Sequence, residues 1–273
     1  MTEIRLRTVD AFTDKPFTGN PAAVVMLDKA PSDDWLAAVA RETAVSDTAF
    51  IIRETMSDAD FRLRWFTPAQ EVDLCGHATL ASAHCLFEDG VRGPIRFATR
   101  SGVLTVRKQP DGSLVMDFPA QPPTQVELEV VAAEALGIPV EWTGRSDDNF
   151  FLLAVATDES SVRNLVPDLN AIAQLDTSAI IVTAPADPEE AYDFVSRLFA
   201  PKVGIDEDPV TGSSHTVLAP YWGARLDRTS LTGLQASSRP GLVGVELNGD
   251  RVLITGHAVT IVDGVLRATA NPS

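Results

Sequence analysis

Phe61-Arg-Leu-Arg-Trp-Phe-Thr-Pro68 has a near copy later in the chain, Phe194-Val-Ser-Arg-Leu-Phe-Ala-Pro201. Laid over one another, the two octapeptides match at Phe, Arg, Phe and Pro, all at one offset, 199 − 66 = 133. The same offset carries Asp73 onto Asp206 and sets Cys75 opposite Asp208, giving five identities in thirteen positions from residue 61 to residue 73. Self-similarity at a fixed spacing marks a repeated architecture. Both copies share one grammar: a strand-like run, a turn closed by proline, an acidic loop, then a small-residue helix start. The offset implies two related lobes, with Cys75 and Asp208 at equivalent helix N-termini facing each other across a cleft.

Working outward, the pattern is one of many short strands and few helices. Strand signals cover Ile4–Phe12, Ala22–Leu27, Thr48–Arg53, Arg62–Phe66, Ile95–Thr99, Val103–Arg107, Leu114–Phe118, Phe151–Ala156, Ala179–Thr183, Ala191–Phe199, Gly244–Leu247 and Val252–Ile254. Ser32 reads as the N-cap of a helix running to Glu42. A second helix starts near Gly76 and stops at Gly90, and a third starts near Gly212 and is interrupted by Pro220. The proline-rich stretch Pro119–Thr124 follows two strand signals, and proline ends ladders. It places a lobe boundary there, residues 1–119 and 120–273, with the last strand able to return to the first lobe.

Composition narrows the function. The 273 residues carry 22 Lys and Arg against 38 Asp and Glu, a formal net charge of −16. Such a surface repels nucleic acid and anionic membranes, whose binding is dominated by phosphate charge. No run approaches the ~18 apolar residues of a membrane span. The first residues alternate like a strand rather than forming a signal peptide, and two cysteines make no disulfide framework. A cytoplasmic enzyme or small-molecule binder is expected.

Three segments carry possible chemistry. Asp73-Leu-Cys75-Gly76-His77-Ala-Thr79 places a thiol and an imidazole at a helix start, where unpaired N–H groups suit a carboxylate ligand. Gly204 to His215 contains Asp208 before Pro209, followed by Thr211, Gly212 and Ser213, whose hydroxyls and amides could also meet an anion. Val45-Ser46-Asp47-Thr48 puts a carboxylate at the entry to an apolar strand, where desolvation favours acid–base work. On these residues alone the ordinary readings stay open: a buried Cys75, a capping His77, a turn Asp47 and a solvated acidic loop. Cys75, His77, His84 and Cys85 lie close in sequence but lack the C-x-x-C and H-E-x-x-H patterns. No metal site is expected, and His84 and Cys85 read as helix packing.

Taken with Val9–Val25 and Gly256–Leu266, these segments resemble the phenazine-biosynthesis PhzF-like isomerase family, related to diaminopimelate epimerase and, further off, to proline racemases. The resemblance spans essentially the whole chain. It implies a pseudo-two-fold α+β fold in which each lobe is a curved, mainly antiparallel sheet wrapped around a central helix. It further implies a homodimer and an isomerase without a cofactor that acts on a small carboxylated substrate. Asp47, His77 and Asp208 fall at its catalytic positions, and Gly76, Gly212, Ser213, Cys75 and Asn20 at substrate-binding ones. One departure stands out, since the family usually has Glu where this chain has Asp47. The carboxylate is thereby retracted by about 1.5 Å, one C–C bond. Two further readings follow from the same residues: an epimerase, racemase or dehydratase using Cys75 and Asp208, or a binding protein that keeps the fold without catalysis.

Overall fold

The computed structural model describes residues 3–54, 56–127 and 130–267. The chain divides into two compact units, Met1–Asp117 with Thr255–Ser273, and Phe118–Ile254. The fold is α+β, as expected.

The first unit contains strands β1 (Ile4–Ala11), β2 (Asn20–Leu27), β3 (Asp47–Ile52), β4 (Phe61–Phe66), β5 (Glu71–Val72), β6 (Ile95–Thr99) and β7 (Gly102–Lys108), and most of β8 (Leu114–Pro119). Strand β18 (Ala258–Leu266) joins it from the far end of the sequence and pairs antiparallel with β1. From β1 the ladder runs antiparallel to β2, parallel to β3 and antiparallel to β4. β4 then takes β5 antiparallel and β6 parallel, and β7 lies antiparallel on β6.

All six residues of β3 are buried, the signature of a strand covered on both faces. Phe50 and Ile52 join Val25, Leu27 and Phe66 under helix α1 (Asp33–Thr43), which supplies Leu36, Val39 and Ala40. Side chains alternate along a strand, so Asp47, Ala49 and Ile51 point to the opposite face. That face meets helix α2 (Gly76–Glu88), which packs against β1, β2, β3, β7 and β18. α2 is buried on nearly every side, through Ala78, Leu80, Ala81, Ala83, Cys85 and Leu86 among others. It is the central helix of the unit. Ser32 caps α1 by accepting from the Trp35 N–H, as the sequence indicates.

The second unit repeats this order within itself. Here β10 (Val140–Arg145) takes β9 (Thr124–Gln125) on one side and β11 (Phe151–Ala156) on the other, both antiparallel. β11 runs parallel to β12 (Ala179–Pro185), which is antiparallel to β13 (Phe194–Ala200). β13 takes β14 (Ile205–Asp208) antiparallel and β15 (Ser230–Gln235) parallel, and β16 (Gly241–Asn248) lies antiparallel on β15. Most of β17 (Arg251–Gly256) completes the series, its last two residues belonging to the first unit. Helix α6 (His215–Leu226) packs on β15 and β16. The other face of the sheet buries Leu152, Ile180, Val182, Val195 and Phe199 with α3 (Val130–Leu136), α4 (Glu159–Arg163) and α5 (Leu169–Ile172).

The repeat identities have a physical reason. Arg64 on β4 lies over the Phe66 ring at 5.2 Å and bonds Glu71 on β5 through Nε and Nη2, both at 2.7 Å. Arg197 on β13 lies over the Phe199 ring at 4.9 Å and bonds Glu207 on β14 at 2.7 and 3.0 Å. The matched Arg and Phe residues build the same stacked, forked ion pair in each unit.

The expected equivalence of Cys75 and Asp208 as helix starts is corrected by the structure. Cys75 is the N-cap of α2, whereas Asp208 ends strand β14 and α6 begins only at His215. A 3-10 turn at Pro201–Val203 and the turn from Pro209 to Ser214 lengthen the second copy, so the helix starts are 215 − 76 = 139 apart. Gly212 and Ser213 accordingly lie in the turn before α6, and Pro220 sits inside the helix rather than ending it. Lacking an N–H, Pro220 leaves the Thr216 carbonyl unpaired in the helix, and the Gln121 N–H donates to it at 2.9 Å.

Candidate active site

The first unit brings Asn20, Ser46, Asp47, Cys75 and His77 together around the start of α2. Asp47 opens β3 beside β2, with Ala22 as its parallel partner. Its carboxylate is buried, and Oδ2 stands 3.6 Å from Nε2 of His77. The other ring nitrogen, Nδ1, is 3.5 Å from Sγ of Cys75. Thiol, imidazole and carboxylate thus form a chain through the two nitrogens of one ring.

Asp47, Cys75 and His77 each offer a ligand atom, all within 4.8 Å of one another. The thiol addresses Nδ1 and the carboxylate Nε2, however. A single ion held by one ring nitrogen needs both on the same side, so the arrangement reads as a row of polar side chains rather than a metal centre.

Ser46 is the partner that the sequence did not single out. Its Oγ lies 2.8 Å from the Pro21 carbonyl, 3.0 Å from Asn20 Oδ1 and 3.3 Å from His77 Nε2. The first two are acceptors, so the one hydroxyl proton is committed there and Oγ accepts from His77 Nε2–H. His77 is then the tautomer that carries its proton on Nε2, with Nδ1 open to the Cys75 thiol. Burial pushes the imidazole down to about 3, so it works as a neutral ring at physiological pH.

The backbone at this point is also prepared for an anion. Cys75 makes no side-chain cap bond, and the first turn of α2 holds no acidic residue. Gly76 and the residues after it present N–H groups that the helix itself does not use, at the positive end of its dipole.

Within the second unit, Asp208 is buried at the end of β14, and its carboxylate accepts from the Thr211 hydroxyl. Gln235 on β15, also buried, ties the same turn from inside. Its Oε1 accepts from Thr211 N at 2.8 Å, and its Nε2 donates to the Asp208 carbonyl at 2.8 Å. The signal for Gln235 is absent from the local sequence, because it reaches the turn only through the parallel pairing of β13 and β15. For Ser46 the sequence signal is its place directly before Asp47. His215 bonds the Thr211 carbonyl through Nδ1 at 2.9 Å, and burial lowers it to about 4.

His84 and Cys85 are packing residues, as expected. His84 bonds Thr260 and Glu88, and burial pushes the Cys85 thiol up to about 12.

The lobe architecture defines the class first. The chain is similar to the crystal structure of a hydroxyproline epimerase from Agrobacterium vitis, with a TM-score of 0.63 over 99% of this chain and 94% of that one; at 14% identity this likeness shows the fold alone. Sequence then defines the family. Residues 9–264 match the model of the PhzC-PhzF family, described as phenazine biosynthesis-like protein. The chain belongs to that family. It is 46% identical over 268 residues to an uncharacterized isomerase of Pseudomonas aeruginosa, covering 97% of this chain and 99% of the relative. A PhzF-family crystal structure from Enterococcus faecalis superposes with a TM-score of 0.91 at 39% identity, covering 98% of this chain and all of that one. Relatives named as isomerases support an isomerase-type activity.

Among the described residues, no helix is long and apolar enough to cross a membrane.

Proposed function

We propose that this protein is a cofactor-independent isomerase that moves a proton within a small carboxylated substrate, with Asp47 as the base. The observation that carries the reading is the buried Asp47–His77–Cys75 chain at the uncapped start of α2. Asp47 takes a proton from a carbon beside the substrate's carboxylate or double bond, and the C–H electron pair passes into that unsaturation. The resulting acid returns the proton at another carbon. His77, neutral and fixed, holds the polar wall of the site by hydrogen bonding rather than by charge. Gly76 and the first N–H groups of α2 favour the negative charge as it develops.

Asp208, Gly212 and Ser213 are assigned to the same substrate by the family resemblance, Asp208 as an assisting carboxylate and the other two as carboxylate binders. Their part in the proposal is tested by Asp208→Asn, which is expected to lower turnover, and by Ser213→Ala, which is expected to raise KM. Homodimerisation belongs to the same expectation and is read by light scattering.

The shorter Asp47 in place of Glu requires a substrate carbon seated nearer to β3. Misplacement by about 1 Å costs roughly 100-fold in rate. Asp47→Glu is therefore expected to slow this enzyme rather than improve it. The direct test is solvent deuterium incorporation into carboxylated candidates in D2O, which Asp47→Asn is expected to abolish.

A second reading is favoured by one distance, the 3.5 Å between Cys75 Sγ and His77 Nδ1. A thiol beside a neutral imidazole can itself serve as an acid or base, as an epimerase would need. Cys75→Ser separates the two: it spares turnover by Asp47 and stops turnover by the thiol.

A further inference from the structure

We infer that Ser46 is a positioning residue that accepts the hydrogen bond of His77 Nε2–H and keeps it from Asp47; this rests on the proposed role of Asp47 as the base.

An imidazole N–H beside a buried carboxylate would ordinarily bond it directly. Hydrogen bonds to charged groups are stronger than those to neutral partners. Yet Nε2 stands 3.6 Å from Asp47 Oδ2, too long for that bond. The nearer partner is Ser46 Oγ at 3.3 Å. Something must hold the weaker acceptor in front of the ring, and the surroundings of Ser46 show what does.

Ser46 is anchored from the neighbouring strand. Its hydroxyl reaches the Pro21 carbonyl at 2.8 Å and Asn20 Oδ1 at 3.0 Å, and Asn20 is fully buried at the first position of β2. β2 and β3 run parallel in register, Ala22 against Asp47, so the anchor lies at the end of the sheet from which Asp47 projects. The serine oxygen is oriented with its proton toward β2 and its acceptor face toward the ring. His77 follows Gly76 in the first turn of a helix buried on nearly every side, which leaves the ring little room to turn.

Two consequences follow for the reaction. The carboxylate is not tied to an imidazole N–H, a bond that would stabilise its charged form and weaken it as a base. The tautomer is also fixed, so Nδ1 faces the Cys75 thiol as an acceptor throughout. Ser46 thereby acts on Asp47 through His77.

The test uses 15N-histidine-labelled full-length protein without ligand, with the His77 signals assigned by their loss in His77→Asn. The wild type is expected to show a neutral His77 ring protonated on Nε2. In Ser46→Ala the Nε2–H resonance is expected to move downfield as the proton transfers its bond to Asp47, and in Ser46→Thr, which keeps the hydroxyl, it is expected to return. A wild-type ring protonated on Nδ1 overturns the inference and needs no variant to be seen. An Nε2–H signal unmoved in a folded Ser46→Ala protein overturns it equally. Persistent deuterium incorporation by Asp47→Asn would instead remove the base role and leave the NMR result as it stands, so the two failures are distinguishable.

Discussion

His77 Nε2 and Asp47 Oδ2 face each other at 3.6 Å inside the first unit, close enough to feel each other and too far to share a proton directly. The ring is kept neutral by burial, which lowers it to about 3, and His215 is lowered to about 4 for the same reason. Each folded value lies below the ordinary histidine value of 6.5, so the unfolded chain binds more protons between those limits. The stability these rings contribute is complete above pH 6.5 and is lost as pH falls through that window. The urea midpoint is expected to fall steadily from pH 7 to pH 4. A flat midpoint over that range contradicts the buried neutral rings.

The two cysteines differ in reactivity. Cys75 retains 8% exposure at a helix start beside an imidazole nitrogen, whereas Cys85 is 1% exposed and pushed up to about 12. Iodoacetamide at pH 8 is expected to label Cys75 first and Cys85 only on unfolding, as read by peptide mass spectrometry. Equal labelling of both in the folded protein would show that the α2 environment differs from the one described.

Gln235→Leu strands the Thr211 N–H and the Asp208 carbonyl in a buried turn. Leaving buried polar groups unpaired costs about 1–3 kcal/mol each, so a loss of about 3 kcal/mol is expected in denaturant unfolding. Deuterium incorporation should fall with it if Asp208 assists the reaction. A stability loss under about 0.5 kcal/mol, the range of ordinary surface changes, would mean that Gln235 does not hold the turn.

Gly19→Ala tests the loop that leads into Asn20. Gly19 has φ of 67°, and an added Cβ would lie 2.2 Å from the Ala11 carbonyl oxygen. β1 and β2 pair Ala11 with Asn20 there, so the backbone has nowhere to yield. A destabilisation of about 1–3 kcal/mol is expected from overpacking alone, with added strain from the left-handed backbone. A melting temperature unchanged from wild type contradicts that close approach.

Much of the architecture was legible because its signals are local. The FxxRxFxP repeat marked β4 and β13, and its Arg and Phe residues build matching ion pairs on both strands. The runs Thr48–Arg53 and Phe151–Ala156 read as strands, and β3 and β11 are buried along their whole length. What the offset could not carry was an insertion in a turn. Six extra residues separate the helix starts in the second copy, so Asp208 ends a strand where Cys75 caps a helix. Six strands carry no such signal: β5 and β9, of two residues each, and β10, β14, β15 and β18, with β15 and β18 being polar or glycine-bearing runs fixed by their neighbours. At the site, Asp47, Cys75 and His77 could be picked out one by one. Ser46 as a partner of His77 and Gln235 as a partner of Thr211 could not, since each contact joins segments far apart in the sequence.

The most direct measurement is solvent deuterium incorporation by wild type, Asp47→Asn and Cys75→Ser into the same panel of small carboxylates, each variant first confirmed to fold. General acid–base groups contribute about 10²–10⁴-fold to rate. Exchange at a substrate carbon is expected in wild type, to persist within about 10-fold in Cys75→Ser, and to fall at least about 100-fold in Asp47→Asn. Exchange that survives Asp47→Asn and disappears in Cys75→Ser contradicts the central claim and makes the thiol the base.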